Sequence, residues 1–275
     1  ITATGSLVYT NVTEHVKIGD APADFQRLAP SFTVSLQPWQ EQLLFLRLMY
    51  KSTFRMPTFN DLYYYRLGNR SLRPEKANEY NMGITWSRSF SSFLNYLSVT
   101  VDGYYNDVTD KIVAFPTTYA WKMANYGKVH VTGMDATLAA AASLGKNMVL
   151  VVSGGYTWQK AIDLTDATSK SYKDQLPYTP KHSGNVSAVL EMPWVNVGYS
   201  IVGVSERYSM SQNIPENRID GYMEHTVSLS RNFSFRHCKL RLQAEIINLT
   251  DTQYDVIKYY PMPGRSWRLT GTIEF

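Results

Sequence analysis

The sequence predicts an all-β fold, an antiparallel up-and-down transmembrane β-barrel with about a dozen strands. Two observations support this prediction: apolar and polar residues alternate along most segments, and every second connection between segments is long. The final segment, 267–275, shows the alternation clearly. Leu269 and Ile273 share one face of the predicted strand and Arg268 lies on the other, because successive side chains in a strand point to opposite faces.

The same alternation recurs in the earlier segments. A sheet with one apolar and one polar face fits either a soluble sandwich or an outer-membrane barrel, so alternation alone leaves both open. In a barrel, the apolar set contacts lipid and the polar set lines the lumen. We expect Val34, Ile84, Val99, Leu242 and Ile273 to face lipid, and Glu79, Asp102, Asp135, Glu245 and Arg268 to face the lumen.

The lengths of the connections favour the membrane. Short connections are predicted at 38–40, 89–93, 144–146, 192–194 and 232–237, and long ones at 12–30, 52–77, 107–125, 159–178, 207–219 and 250–265. Because short and long alternate, all the long loops emerge at one rim, as in outer-membrane barrels. In compact soluble domains, loops beyond roughly 12–15 residues are uncommon.

The tryptophans sort into the same two rims. We predict an aromatic belt at each membrane interface, where an amphipathic ring is favoured. The alternative is that aromatic residues simply favour strands. The predicted belt consists of Trp39, Trp86 and Trp194 at the short-turn rim and Trp121, Trp158 and Trp267 at the long-loop rim.

The composition is that of a barrel rather than of a helical membrane protein. Hydrophobic residues make up 44% of the chain, and no run approaches the roughly 18 apolar residues of a membrane-spanning helix. The net charge of +4, without a Lys/Arg run, argues against a nucleic-acid partner. The single cysteine, Cys238, excludes an intramolecular disulfide.

Other features bear on the extent of the chain and on catalysis. The chain starts at Ile1 without a signal peptide, so we expect 1–275 to be the C-terminal part of a longer, exported protein. The five histidines are scattered and lie in no metalloprotease or nucleophile-elbow motif. No Gly-rich phosphate loop is present, and we expect no cofactor. A barrel enzyme is therefore disfavoured.

Three stretches carry motifs. Residues 54–63 read FRMPTFNDLY and are followed by GN at 68–69 and LRPEK at 72–76. Residues 125–129 read NYGKV, with GMD at 133–135. The third stretch has NLTD at 248–251, PMPGR at 261–265 and the terminal Phe275. In this order and spacing, they resemble the barrel motifs of TonB-dependent outer-membrane receptors of the cobalamin and ferric-siderophore type.

The resemblance implies a barrel of about 22 strands with an N-terminal plug in its lumen. The plug and the segment that TonB grips would lie outside this chain. The implied function is active import of cobalamin or a ferric siderophore across the outer membrane of a Gram-negative bacterium. The implied partners are TonB, the metal-chelate or vitamin ligand, membrane lipid with lipopolysaccharide, and the barrel assembly machinery, which would read Phe275 as a signal. A passive porin-like barrel remains the alternative.

Ligand capture is expected to use aromatic and basic side chains on the long loops, because ring faces and charges hold chelated ligands. The alternative is that these rings belong to the outer belt. The candidates are Tyr63, Tyr64, Tyr65, Arg66, Tyr119, Tyr259 and Tyr260. A calcium site at Asp163 and Asp166, with Asp174 nearby, is a further hypothesis, although these residues lack the EF-hand pattern.

Overall fold

The computed structural model describes residues 1–13, 15, 17, 24–39, 41, 43–91, 93–116, 119–145 and 147–274. The expected assembly signal, Phe275, lies outside these residues. The strands are β1 (Thr2–Val12), β2 (Phe25–Leu36), β3 (Leu43–Arg55), β4 (Glu75–Ser89), β5 (Leu94–Pro116), β6 (Trp121–Gly145), β7 (Met148–Asp163), β8 (His182–Glu191), β9 (Asn196–Val204), β10 (Arg207–Tyr208), β11 (Arg218–Ile219), β12 (Tyr222–Ser234), β13 (Lys239–Ile247), β14 (Asp255–Ile257), β15 (Tyr260–Pro261) and β16 (Ser266–Glu274). A short helix, α1, spans Phe59–Tyr63, and a 3-10 turn spans Pro215–Asn217.

One 12-stranded sheet contains all the long strands, in the order β1-β2-β3-β4-β5-β6-β7-β8-β9-β12-β13-β16. Each strand pairs antiparallel with the next, so the sheet is an up-and-down meander. The pairs β10–β11 and β14–β15 form two small separate ladders in the loops. The predicted fold class is confirmed.

The strand registers sort the side chains onto two faces. Asp102 pairs with Asp135, and Asp135 pairs with Thr157, so these three residues share one face. Tracing the registers across the sheet places all the residues expected to face the lumen on this polar face. Val34, Ile84, Val99, Leu242 and Ile273 lie together on the opposite, apolar face.

The apolar face is not covered by any described element. Met82, Leu269 and Ile273 expose 69%, 86% and 57% of their surface. The buried clusters lie at the long-loop end, where Leu62 and Leu72 pack with Ile112 and Met123, and Leu176 packs with Val129. Among the described residues, no helix is long and apolar enough to cross a bilayer.

One predicted loop is largely strand. The segment 107–125 was expected to be a long connection, but β5 and β6 stay paired as far as Pro116 and Trp121. Within it, Ile112 and Met123 are buried against the 56–74 loop. Apolar contact with a neighbouring loop, which local sequence does not reveal, therefore extends this hairpin beyond its neighbours.

Candidate functional site

The long connections meet one another at the rim opposite the short turns. The Tyr178 N–H donates to the Tyr208 carbonyl at 2.7 Å, which joins the 164–181 and 205–221 loops. The Asn213 N–H donates to Asp174 Oδ2 at 3.0 Å across the same junction. Because these loops share hydrogen bonds, the rim forms one connected surface, and we take it as the candidate functional site.

The first motif fastens the 56–74 loop to the β5–β6 hairpin. Asn125 accepts the Arg73 N–H at 2.8 Å, and its Nδ2 donates to the carbonyls of Arg73 and Asp110 at 3.0 and 2.6 Å. Asn69 Nδ2 donates to the Met123 carbonyl at 3.1 Å. Glu75 accepts the Ile112 N–H at 3.0 Å. We call this set of contacts the Asn125 clamp; its residues hold backbone rather than ligand.

Helix α1 is built by the same motif. The Thr58 hydroxyl accepts the Asp61 N–H at 3.2 Å, and the Asp61 carboxylate accepts the Thr58 N–H at 2.9 Å, forming a capping box. Arg55 lies 3.3 Å from Asp61 and 3.6 Å from Glu75, so it links the helix to the start of β4. The helix therefore holds Tyr63 and presents the following residues, 64–66, from a fixed base.

The candidate residues Tyr63 to Arg66 have different environments. Tyr63 stacks on Phe59 and lies under the Arg70 guanidinium, 5.3 Å from it. Tyr64 and Tyr65 expose 59% and 77% of their surface. Arg66 has a φ of 64° and lies over the Tyr65 ring at 5.1 Å. Tyr64, Tyr65 and Arg66 are thus accessible at the rim, whereas Tyr63 takes part in packing.

The other candidates lie on different loops. Tyr119, at the tip of the β5–β6 hairpin, is 97% exposed, and Tyr259 and Tyr260 are 82% and 70% exposed. The Tyr259 N–H donates to Asp255 Oδ2 at 2.9 Å, which supports its φ of 69°. A cavity of about 330 Å³ lies beside Tyr259. Its lining includes Arg218, Asp220, Tyr254, Asp255, Lys258 and Tyr259.

Sequence reasoning missed an aromatic stack beside this cavity. The rings of Tyr222 and Tyr254 lie 3.9 Å apart and nearly parallel, and the Tyr254 hydroxyl donates to Glu224 at 2.5 Å. Burial, and then the hydrogen bond to Glu224, raise the pKa of Tyr254. Tyr222 and Glu224 lie on β12 and Tyr254 on the 248–265 loop, so no local pattern could reveal the contact.

Arg207, a buried cation of the rim, was also missed. It is only 4% exposed, and its Nη2 donates to the carbonyls of Asp255 and Val256 at 2.6 and 3.1 Å. Its guanidinium lies 5.8 Å from the Tyr222 ring. Arg207 therefore joins the 205–221 loop to the 248–265 loop and closes one side of the stack.

The third motif shapes the 248–265 loop. Asn248 is fully buried, with a φ of 53°; its Nδ2 donates to the carbonyls of Thr252 and Pro263, and its Oδ1 accepts the Thr252 N–H at 2.9 Å. Asp251 Oδ1 accepts the Arg265 N–H at 2.8 Å. These residues determine the path of the loop that carries Tyr259 and Tyr260.

Asp163 at the end of β7 and Asp166 accept hydrogen bonds from nearby residues of the 164–181 loop. Asp163 accepts the Thr165 N–H at 2.9 Å, and Asp166 accepts the Thr168 N–H and hydroxyl at 2.8 and 2.7 Å. The hydrogen bonds from Thr168 lower the pKa of Asp166. Among the described residues, no group of three or more His, Cys, Asp or Glu side chains could hold a metal ion. The calcium hypothesis gains no support from this geometry.

The tryptophans lie at both rims. By strand register, Trp86, Trp158 and Trp267 share the apolar face. Trp39 and Trp194 lie in short turns and expose 57% and 61% of their surface. Trp121 differs, because its ring packs 5.7 Å from the ring of Tyr178 on the 164–181 loop. The belt remains a prediction, with Trp121 in contact with the loops.

Comparison with known proteins gives the same architecture. The chain matches the family model described as TonB dependent receptor-like, beta-barrel, over residues 2–249. It is 26% identical over 230 residues to the vitamin B12 transporter BtuB of Photobacterium profundum, a match that covers 81% of this chain and 34% of that relative. The chain thus spans about a third of that relative's length.

Solved structures resemble it at lower identity. The ferric-catecholate import receptor Fiu of E. coli K12, in its closed form, gives a TM-score of 0.65 at 20% identity, covering 90% of this chain and 35% of that one. The siderophore receptor PiuA of Acinetobacter baumannii gives a TM-score of 0.67 at 18% identity, and the match covers 94% of this chain and 38% of that one. At these identities the likeness establishes the fold. With its antiparallel meander and a family match over most of its length, the chain belongs to the TonB-dependent receptor β-barrel family.

Proposed function

We propose that this chain supplies barrel wall and long extracellular loops to a TonB-dependent importer of a scarce chelated nutrient, either cobalamin or a ferric siderophore. The observation that carries the proposal is the pairing of an uncovered apolar face with a ring-bearing rim of connected loops. Residues 1–275 would be the C-terminal part of the barrel domain. The plug and the TonB-binding segment would belong to the same polypeptide outside these residues.

The apolar face supports placement in the outer membrane of a Gram-negative bacterium. Soluble monomers rarely expose contiguous apolar patches larger than a few hundred Å². Here the apolar residues follow one another across the whole sheet, including Leu48, Met82, Leu242 and Leu269, each 44–86% exposed. In a bilayer, this face would contact hydrocarbon instead of water, which removes the unfavourable exposure of its apolar side chains. The polar face would then line the lumen.

The accessible rings and cations of the rim support capture of an anionic or chelated ligand. Tyr64 and Tyr65 offer ring faces beside Arg66. Cations draw anionic chelates to the rim, and aromatic faces bind extended ligands. The names of the relatives point to the same two ligand classes, vitamin B12 and iron chelates.

Two experiments test these proposals in the complete protein, expressed in a Gram-negative host. The first measures uptake of labelled cyanocobalamin and of ferric siderophores with and without TonB. Active import predicts that uptake of one ligand class disappears without TonB. Uptake that persists would favour passive, porin-like diffusion instead.

The second experiment compares ligand binding in Tyr65→Ala/Arg66→Ala with a matched control, Tyr172→Ala/Lys173→Ala. In the control pair, the Lys173 ammonium lies 5.3 Å from the Tyr172 ring and Lys173 has a φ of 69°, which parallels Arg66 on Tyr65. Capture at the 56–74 loop predicts weaker binding in the first variant alone, at equal barrel abundance. If binding is unchanged and only abundance falls, the loop is structural.

A further inference from the structure

Tyr–His pairs recur on the apolar face, and the Tyr156–His182 and Tyr199–His225 rings are stacked at the same angle of 29°. The hydroxyl oxygens of Tyr156 and Tyr199 lie 2.7 Å from Nδ1 of His182 and His225, and Tyr105 lies 3.2 Å from Nδ1 of His130. In every pair, the histidine is on the strand next to that of the tyrosine. It lies two residues nearer the long-loop rim than the residue that pairs with the tyrosine in the strand register. In the Tyr156–His182 pair the hydroxyl contact is to Nδ1, so Nε2 is the ring nitrogen that can bind a further group.

Below the Tyr156–His182 pair, the apolar face contains a groove of about 430 Å³. Gly184 and Gly203 are direct partners across β8 and β9 and lack side chains, so they form its floor. Its walls on this face are Tyr156, His182, Val186, Ile201 and Met223. A second groove of about 340 Å³ shares Tyr156 and Val186 with the first and has Gly154 in its floor.

At the end nearest the long-loop rim, the described strands β7 and β8 place Lys160 and His182 on the apolar face. Along β7, β8 and β9, the ionisable side chains on the apolar face are Tyr156, Lys160, His182 and Tyr199, and these strands place no carboxylate on it. His182 and Lys160 lie on the long-loop side of the grooves. An occupant must therefore be apolar along the grooves and anionic at this end.

We propose that the paired grooves bind acyl chains of a phosphorylated glycolipid of the outer leaflet, with a phosphate at His182 and Lys160. Two adjacent grooves suit an amphiphile with several chains, and charge complementarity orients its phosphate to the long-loop rim. The inference goes beyond nutrient import but rests on the membrane placement proposed above.

The test uses the complete protein, purified from outer membranes, and native mass spectrometry with bis-phosphorylated lipid A. The first variant is Gly203→Leu, because a Cβ there meets Met223 at an ordinary 3.7 Å and the leucine fills the groove. The matched control is Gly271→Leu, on the same face of β16, where a Cβ meets Leu242 at 3.6 Å. We expect about tenfold weaker lipid A binding in Gly203→Leu, equivalent to ~1.4 kcal/mol, and unchanged binding in the control.

The headgroup is tested separately. His182→Phe keeps a ring but removes the Nε2 donor, and it should weaken binding of lipid A more than binding of phosphatidylglycerol. His225→Phe, the same change in a pair that lines neither groove, should alter neither. Equal lipid A binding by Gly203→Leu and Gly271→Leu overturns the groove assignment. Preference for phosphatidylglycerol in the unsubstituted protein overturns the glycolipid assignment. Absence of all variants from the outer-membrane fraction would instead refute the proposed placement.

Discussion

Asp102 on β5 and Arg47 on β3 form an ion pair across the strand between them, with 2.9 Å from Oδ1 to Nη2. Gly83 of β4 lies in register with both residues. A Cβ at position 83 would overlap the Asp102 carboxylate. The missing side chain is therefore what allows two charges on non-adjacent strands of the polar face to meet.

Substituting Gly83 by Ala should break this ion pair by displacing the Asp102 carboxylate. The Arg47 and Asp102 side chains are about 40% exposed, so losing their ion pair should lower the free energy of unfolding by roughly 0–1 kcal/mol. Local strain around the new methyl group should lower it further. We expect a lower temperature for loss of the heat-modifiable barrel band in gel electrophoresis. Gly103→Ala is the control, since a Cβ there lies 3.9 Å from the Met82 carbonyl oxygen. Equal temperatures in the two variants would contradict the prediction.

Substituting Asn248 by Ala should loosen the 248–265 loop. The change removes the hydrogen bonds to Thr252 and Pro263 and leaves buried backbone groups without partners, at a cost of roughly 1–3 kcal/mol. We expect faster proteolytic cleavage within the loop, measured on the folded barrel. The control is Asn232→Ala, at an exposed position of β12, and its 248–265 loop should be cleaved at the same rate as in the unsubstituted protein.

Substituting Asn125 by Ala should release the Asn125 clamp without touching any candidate ligand residue. The 56–74 loop then loses its two hydrogen bonds between Arg73 and Asn125 of the β5–β6 hairpin, so the positions of Tyr65 and Arg66 become less defined. If the proposed import function holds, we expect weaker binding of the proposed chelate ligand at normal barrel abundance. Asn125→Asp keeps the acceptor for the Arg73 N–H but sets a carboxylate oxygen against the carbonyls of Arg73 and Asp110, so it should not recover the affinity. Full affinity in Asn125→Ala would show that the clamp does not position the capture residues.

Alkaline pH should loosen the Tyr222–Tyr254 stack. Burial and Glu224 raise the pKa of Tyr254 above its usual value of 10.0, so the folded protein holds this proton more tightly than the unfolded chain. The stabilisation that this proton provides is present at pH values below the ordinary pKa of tyrosine. It is lost as pH rises through the raised pKa of Tyr254. Proteolysis of the 248–265 loop should therefore accelerate above pH 10.0, and Tyr254→Phe should show a weaker dependence on pH. An identical pH profile in the variant would exclude Tyr254 as the titrating group.

Deleting Phe275 should reduce insertion rather than transport. A terminal aromatic residue after an alternating strand resembles the signal read by the barrel assembly machinery. We expect less folded barrel in the outer membrane, with unchanged uptake per inserted molecule. The alternative is that Phe275 only closes the last strand, and in that case the inserted amount would be normal. Quantitative gels and uptake assays on the same cells separate the two.

Local sequence determined the strands, their two faces and the rim from which the long loops emerge. Alternation is a property of neighbouring residues, since each side chain points opposite to the next, so Val99 and Asp102 could be placed on opposite faces without any knowledge of their partners. The short turns followed from the same patterning. The motifs indicated the family, although Asn125 and Asn248 proved to hold loop backbone.

Tertiary structure decided what depends on contacts between distant residues. The extension of β5 and β6 through 107–125 follows from burial of Ile112 and Met123 under another loop. The bonds of Arg207 to Asp255 and of Tyr254 to Glu224 join segments that are 48 and 30 residues apart. The groove over Gly184 and Gly203 exists because strand register sets two glycines opposite each other. Register and loop packing are long-range properties, and neither is encoded in the period of any single strand.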